Sequence, residues 1–129
     1  MERAMGHAPH ILTPRVQLED VFLNSPTFSP ELREKVRRTL AFAHGCLYCQ
    51  AKAGPADKTH GDPKVAAAVE LTNIFALDHR DIDDKILARY ETIFSENELV
   101  ELMLYMGFIW AGGTFGAVMG LQPRESYGC

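Results

Sequence analysis

Residues 102–121, LMLYMGFIWAGGTFGAVMGL, run twenty positions without a charge. That stretch constrains the fold more than any other, because an apolar helix of this length must be covered by protein or by lipid. Five of the twenty residues are glycine, and Gly112, Gly116 and Gly120 recur every four, the spacing that lets a second helix approach closely. The segments upstream are amphipathic and need an apolar partner. The stretch is therefore expected to be the central helix of a core, with a membrane tail anchor as the alternative. Ser95 and Glu98 form a capping box that opens this helix, and Pro123 follows its expected end near Gly120.

Other start signals lie in front of it. Ser29-Pro30 and Asp62-Pro63 each place a capping side chain before a proline, which suits the first helical position. The first pair starts a helix to about Ala43 and the second an alanine-rich helix to about Leu77. Residues 82–94 read as a surface helix, and 78–81 as a polar break in which His79 has no assigned role. No segment alternates with period two, so the class is all-α with roughly six helices. At 129 residues a single domain is expected, with 26–122 as its core and 1–28 as an N-terminal extension. That extension holds Pro9, Pro14 and Pro26 and reads as turns around one short helix over 16–23. It is expected to carry His7 and His10 on a flexible arm and no chemistry.

The residues with chemical promise are in the stretch 34–49, EKVRRTLAFAHGCLYC. His44-Gly45 breaks the Ser29-Pro30 helix, and Cys46-Leu47-Tyr48-Cys49 opens a short one that Gly54-Pro55 ends. A thiol at a helix N-terminus meets unpaired N–H groups that favour its thiolate, and two intervening residues allow an internal disulfide. On this ground Cys46 is the more acidic thiol, because it is nearer the N-terminus. Periodicity puts Leu32, Val36, Leu40 and Ala43 on the buried stripe of the preceding helix. Glu34 falls opposite, with Arg38 and Ala41, as a surface residue in an i,i+4 pair unless further helices or an oligomer cover that face.

Cys46-x-Tyr48-Cys49, with Glu34 twelve positions ahead of Cys46 in an S-P-E-L-R-E-x-V helix, resembles the alkylhydroperoxidase D-like branch of the carboxymuconolactone decarboxylase family. The likeness covers about residues 26–122, including the Ser-x-x-Glu start and Gly/Ala-rich course of the last helix. The family pattern, Glu-x11-Cys-x-Tyr-Cys-x-x-x-His, departs here at its last position, which is Ala53. The resemblance implies an all-helical subunit that assembles into trimers or hexamers. It also implies thiol-dependent reduction of a hydroperoxide, without cofactor, with an external dithiol or thiol protein as reductant. Cys49 would then be the peroxidatic thiol, and Cys46 the resolving thiol and proton donor. Family members pair the Glu with the His for proton transfer. With Ala53 in that place, Glu34 and His44 are the expected substitutes, and His60 is left as a loop histidine.

Two other readings compete. Cys46, Cys49, His44 and His60 contain half of a zinc-site spacing but no second close pair. A decarboxylase-like or non-catalytic member of the same family would keep the fold, but the decarboxylase branch typically lacks the cysteine pair. Basic residues number 13 against 17 acidic and form no cluster, so a nucleic-acid partner is not expected. The third cysteine, Cys129, is expected to be free, and the absence of a signal-like leader makes a reducing cytoplasm the expected compartment.

Overall fold

Cap chemistry sets most of the helix starts. A computed structural model of the chain describes residues 1–54 and 61–123. Among them the structure is all-helical, without strands, and contains seven α-helices. These are α1 (Glu2–Met5), α2 (Pro9–Asn24), α3 (Pro30–Ala43), α4 (Leu47–Ala53), α5 (Pro63–Asp78), α6 (Asp84–Tyr90) and α7 (Glu96–Val118), with a 3-10 turn, His79–Asp81, after α5. Ser29 Oγ accepts the Leu32 N–H at 3.2 Å, and Asp62 accepts the Lys64 N–H at 2.8 Å. The Ser95–Glu98 box closes in both directions, at 3.3 and 2.8 Å. Each such cap is worth about 1 kcal/mol. The surface helix expected over 82–94 is shorter, because Asp83 caps it and Glu91 ends it.

The N-terminal stretch differs from its expected form. Rather than turns around a short helix, it holds α1 and the sixteen-residue α2, with Pro9 in the first turn and Pro14 inside. His10 is therefore helical, and His7 lies in the turn between α1 and α2. Of the apolar residues in 16–23, Phe22 alone is buried, with its ring centre 5.3 Å from those of Tyr105 and Phe108. Arg33 ties this stretch to α3. It is 7% exposed and donates to the carbonyls of Leu23, Ser25 and Phe28 at 2.9, 3.0 and 2.6 Å.

The core forms where α3, α5 and α7 meet, on Val36, Leu40, Leu71, Leu102 and Met106, all fully buried. Burial of each such side chain stabilises by about 1.5–3 kcal/mol. α3 packs on α5 along one side and on α4 and α7 along another. Ala43, placed on the buried stripe by periodicity, is exposed, whereas Ala41, expected beside Glu34, is 1% exposed. A helix enclosed on two sides does not follow a single-stripe pattern. α7 is, among the described residues, the one helix long and apolar enough to cross a membrane. Here α3, α4 and α5 pack against it, and it buries seven residues, Gly112, Gly113 and Gly116 among them.

Candidate functional site

Gly45 takes a φ of 75°, left-handed backbone that costs a β-carbon residue about 1 kcal/mol or more. That turn sends the chain from α3 straight into α4. His44 caps the end of α3 and Cys46 is the N-cap of α4. Cys46 Sγ accepts the Cys49 N–H at 3.2 Å, as a serine or aspartate oxygen would at such a position. His44 Nδ1 accepts the Cys46 N–H at 3.4 Å, which leaves its ring proton on Nε2. His44 and both cysteines are thus linked through two backbone N–H groups.

α7 is the floor of this arrangement, and its glycines are what allow the approach. A β-carbon on Gly113 would overlap the His44 ring, and one on Gly116 would lie 2.5 Å from Cys46 Sγ. The ring of Trp110, also on α7, meets His44 edge to face at 5.9 Å and Phe75 at 6.0 Å. Cys46 is completely buried, while Cys49 is half-buried and lines a pocket of about 70 Å³. His44, Tyr48, Arg37 and Lys52 share that pocket, and α1 and α2 contribute Glu2, Arg15 and Glu19 to its rim.

The electrostatics of the site act on Cys49, His44 and Glu34. Burial, reinforced by the hydrogen bond and charge of the Cys46 sulfur, pushes the Cys49 thiol up to about 12, against an opposing pull from Arg37 and Lys52. The Cys49 thiol therefore keeps its proton well above neutral pH. Burial alone lowers the pKa of His44 and keeps the ring neutral. Burial also pushes up the Glu34 carboxyl, but the hydrogen bonds and charges of Arg37 and Arg38 outweigh it and hold the group below the usual carboxylate range.

The four residues singled out from the sequence are not equally placed. Cys46, Cys49 and His44 come together. Glu34 is 41% exposed, does not line the pocket, and accepts from Arg37 Nε and Nη2 at 2.9 and 2.6 Å and from Arg38 Nε at 3.1 Å. Its connection to Cys49 runs through Arg37, which does line the pocket. Arg37 shares the face of Glu34 at i+3, so helical spacing held a signal for it. Arg15 and the Gly113–His44 contact are tertiary and had none. Among the described residues no three His, Cys, Asp or Glu side chains converge as a metal-binding group. His60 and Cys129 lie outside the described residues.

A cysteine pair of this kind can carry two electrons as dithiol and disulfide. No protein-family model matches the chain, and no curated protein matches it at a significant level.

Proposed function

We propose that the protein is a thiol-dependent peroxide reductase, of the alkylhydroperoxidase D-like kind, with Cys49 as the sulfur that meets the peroxide. The observation that carries the reading is the division between the sulfurs, with Cys49 on a small pocket and Cys46 sealed behind it. A peroxide entering the pocket reaches Cys49 alone, and Cys46 serves as its proton donor and resolving partner. Accessibility thus favours Cys49, although cap position alone had favoured Cys46.

In the reduced pair, burial and the neighbouring Cys46 sulfur hold the proton on the Cys49 thiol. Its release to solvent frees the Cys49 thiolate, which attacks the O–O bond. A sulfur–oxygen bond forms, the O–O bond breaks, Cys49 becomes a sulfenic acid and an alcohol leaves with a proton. The Cys46 thiol supplies that proton and is left as a thiolate, while the Nε2–H of His44, at the pocket wall, can hydrogen-bond the leaving oxygen. Cys46 then attacks Cys49, forming the disulfide and releasing water. In sum, two thiols and one hydroperoxide give a disulfide, an alcohol and water. An external dithiol or thiol protein restores the pair. Within this scheme Glu34 acts on Arg37, whose charge favours the Cys49 thiolate, rather than as the base itself. The dithiol resting state belongs in a reducing compartment, for which we propose the cytoplasm.

We extend the proposal to assembly as a homotrimer or homohexamer. Leu18 and Val21 of α2 and Val100 and Leu104 of α7 line one surface groove and are 45%, 65%, 55% and 62% exposed, apolar area that an interface would cover. Light scattering after size exclusion tests this, and a monomer at micromolar concentration rejects it.

The chemical test is a thiol count. Reduced protein treated with one equivalent of an organic hydroperoxide, then mass-tagged, should fall rapidly from three tags to one, since the chain has three cysteines. Cys46→Ser should hold a persistent sulfenic acid on Cys49. Three tags retained after long exposure reject the reading.

A further inference from the structure

Two cavities meet on α7 at Gly112. One is the Cys49 pocket of about 70 Å³. Since a water needs about 10–15 Å³ measured in this way, it admits only a few such groups. The other, about 450 Å³, is an apolar groove between α1, α2 and α7, lined by Met5, Ala8, Ile11, Phe108, Ala111 and Phe115 among others. The lining residues common to both are Arg15 and Gly112.

The Arg15 side chain is the partition. Its Nη2 would lie 3.0 Å from a β-carbon on Gly112, so the guanidinium rests directly on that glycine. Its Cζ stands 4.9 Å from the centre of the Phe108 ring, Nη1 donates to Glu19 at 3.1 Å, and Nη2 lies 3.9 Å from Met1 Sδ. The side chain is 18% exposed. An ion pair, a cation–π contact and a backbone seat hold it, so it is a wall rather than a loose surface arm.

We propose that Arg15 determines substrate size at Cys49. It shuts the reactive pocket off from the apolar groove, so that the site takes small hydroperoxides, hydrogen peroxide or those with a few carbon atoms. A bulky or long-chain hydroperoxide must displace the guanidinium to enter. This inference rests on the peroxide-reductase reading for its substrate class and on geometry alone for the wall. The step concerned is the balanced one above: Cys49 sulfur is oxidised by two electrons as the O–O bond is reduced to an alcohol.

The experiment uses the full chain with Cys129→Ser and follows Cys49 by peptide mapping. Rates are measured with hydrogen peroxide and cumene hydroperoxide, and separately with iodoacetamide and a fluorescein maleimide. In the wild type the smaller reagent of each pair should gain a large advantage, and Arg15→Ala should cut that advantage by roughly tenfold, the scale of a lost cation–π and ion-pair anchor. An advantage equal in wild type and Arg15→Ala overturns the proposal. So does a wild type that takes cumene hydroperoxide and the maleimide as readily as their small counterparts, which decides the matter if Arg15→Ala does not fold. If neither peroxide oxidises Cys49, the peroxide reading fails, and the alkylation pair still decides whether Arg15 is the wall.

Discussion

Two hydrogen atoms on α7 set how the reactive sulfurs are seated. Gly113 and Gly116 leave just enough room for the His44 ring and for Cys46 Sγ. Gly116→Ala is expected to force the α4 N-terminus off α7 and to cost about 1–3 kcal/mol, read as a lower urea midpoint. Slower disulfide formation in the folded fraction should accompany it. Cys46→Ser makes a different point. Burial is the largest cause of the raised Cys49 pKa, and the Cys46 sulfur supplies the next ones. With that sulfur gone, the Cys49 titration followed by thiolate absorbance should fall from about 12 toward its ordinary value without reaching it. A titration that stays in place would mean that burial acts alone.

Among the elements, α3 shows what a sequence can and cannot disclose. Its start was legible because Ser29 and Pro30 are local chemistry, and its face of Leu32, Val36 and Leu40 followed from the helical period. The burial of Ala41 and the exposure of Ala43 were not legible, since they depend on α4 and α7 closing over a second side. The same holds for the site. The thiols and His44 are within five residues of one another and could be read directly, whereas Arg15 reaches the pocket through a helix whose prolines, Pro9 at its start and Pro14 inside, suggested turns. Arg33 also escaped notice, since nothing in its spacing distinguishes it from a surface arginine. Its three carbonyl partners join the end of α2 to α3. Arg33→Met should therefore destabilise by about 3 kcal/mol, because buried carbonyls lose a charged donor. A change within about 0.5 kcal/mol in urea titrations would contradict that role.

At the level of the whole molecule, three titrating groups bound the pH range of full stability. Glu34 has a depressed pKa, so its contribution is present above its ordinary value of 4.5 and is lost as pH falls through the folded value. His44 is depressed by burial; below 6.5 the unfolded chain takes up a proton that the folded ring refuses, and stability falls with pH. Cys49 acts at the other end. Between 9.0 and about 12 the unfolded chain loses a proton that the folded state keeps, so stability falls as pH rises through that window. Urea midpoints should form a plateau from about pH 6.5 to 9 and decline on both sides. His44→Asn should weaken the decline just below 6.5.

The contact of Trp110 with His44 has an optical consequence. This is the chain's one tryptophan, and the imidazole it touches accepts the Cys46 N–H. Under the proposed cycle, closing the bond between the sulfurs is expected to shift that imidazole, and with it the surroundings of the indole. The molecule thus carries its own fluorophore beside the cysteine pair. Emission should step when the reduced pair in unlabelled protein is oxidised to the disulfide, and His44→Ala should silence the step while leaving the indole in place.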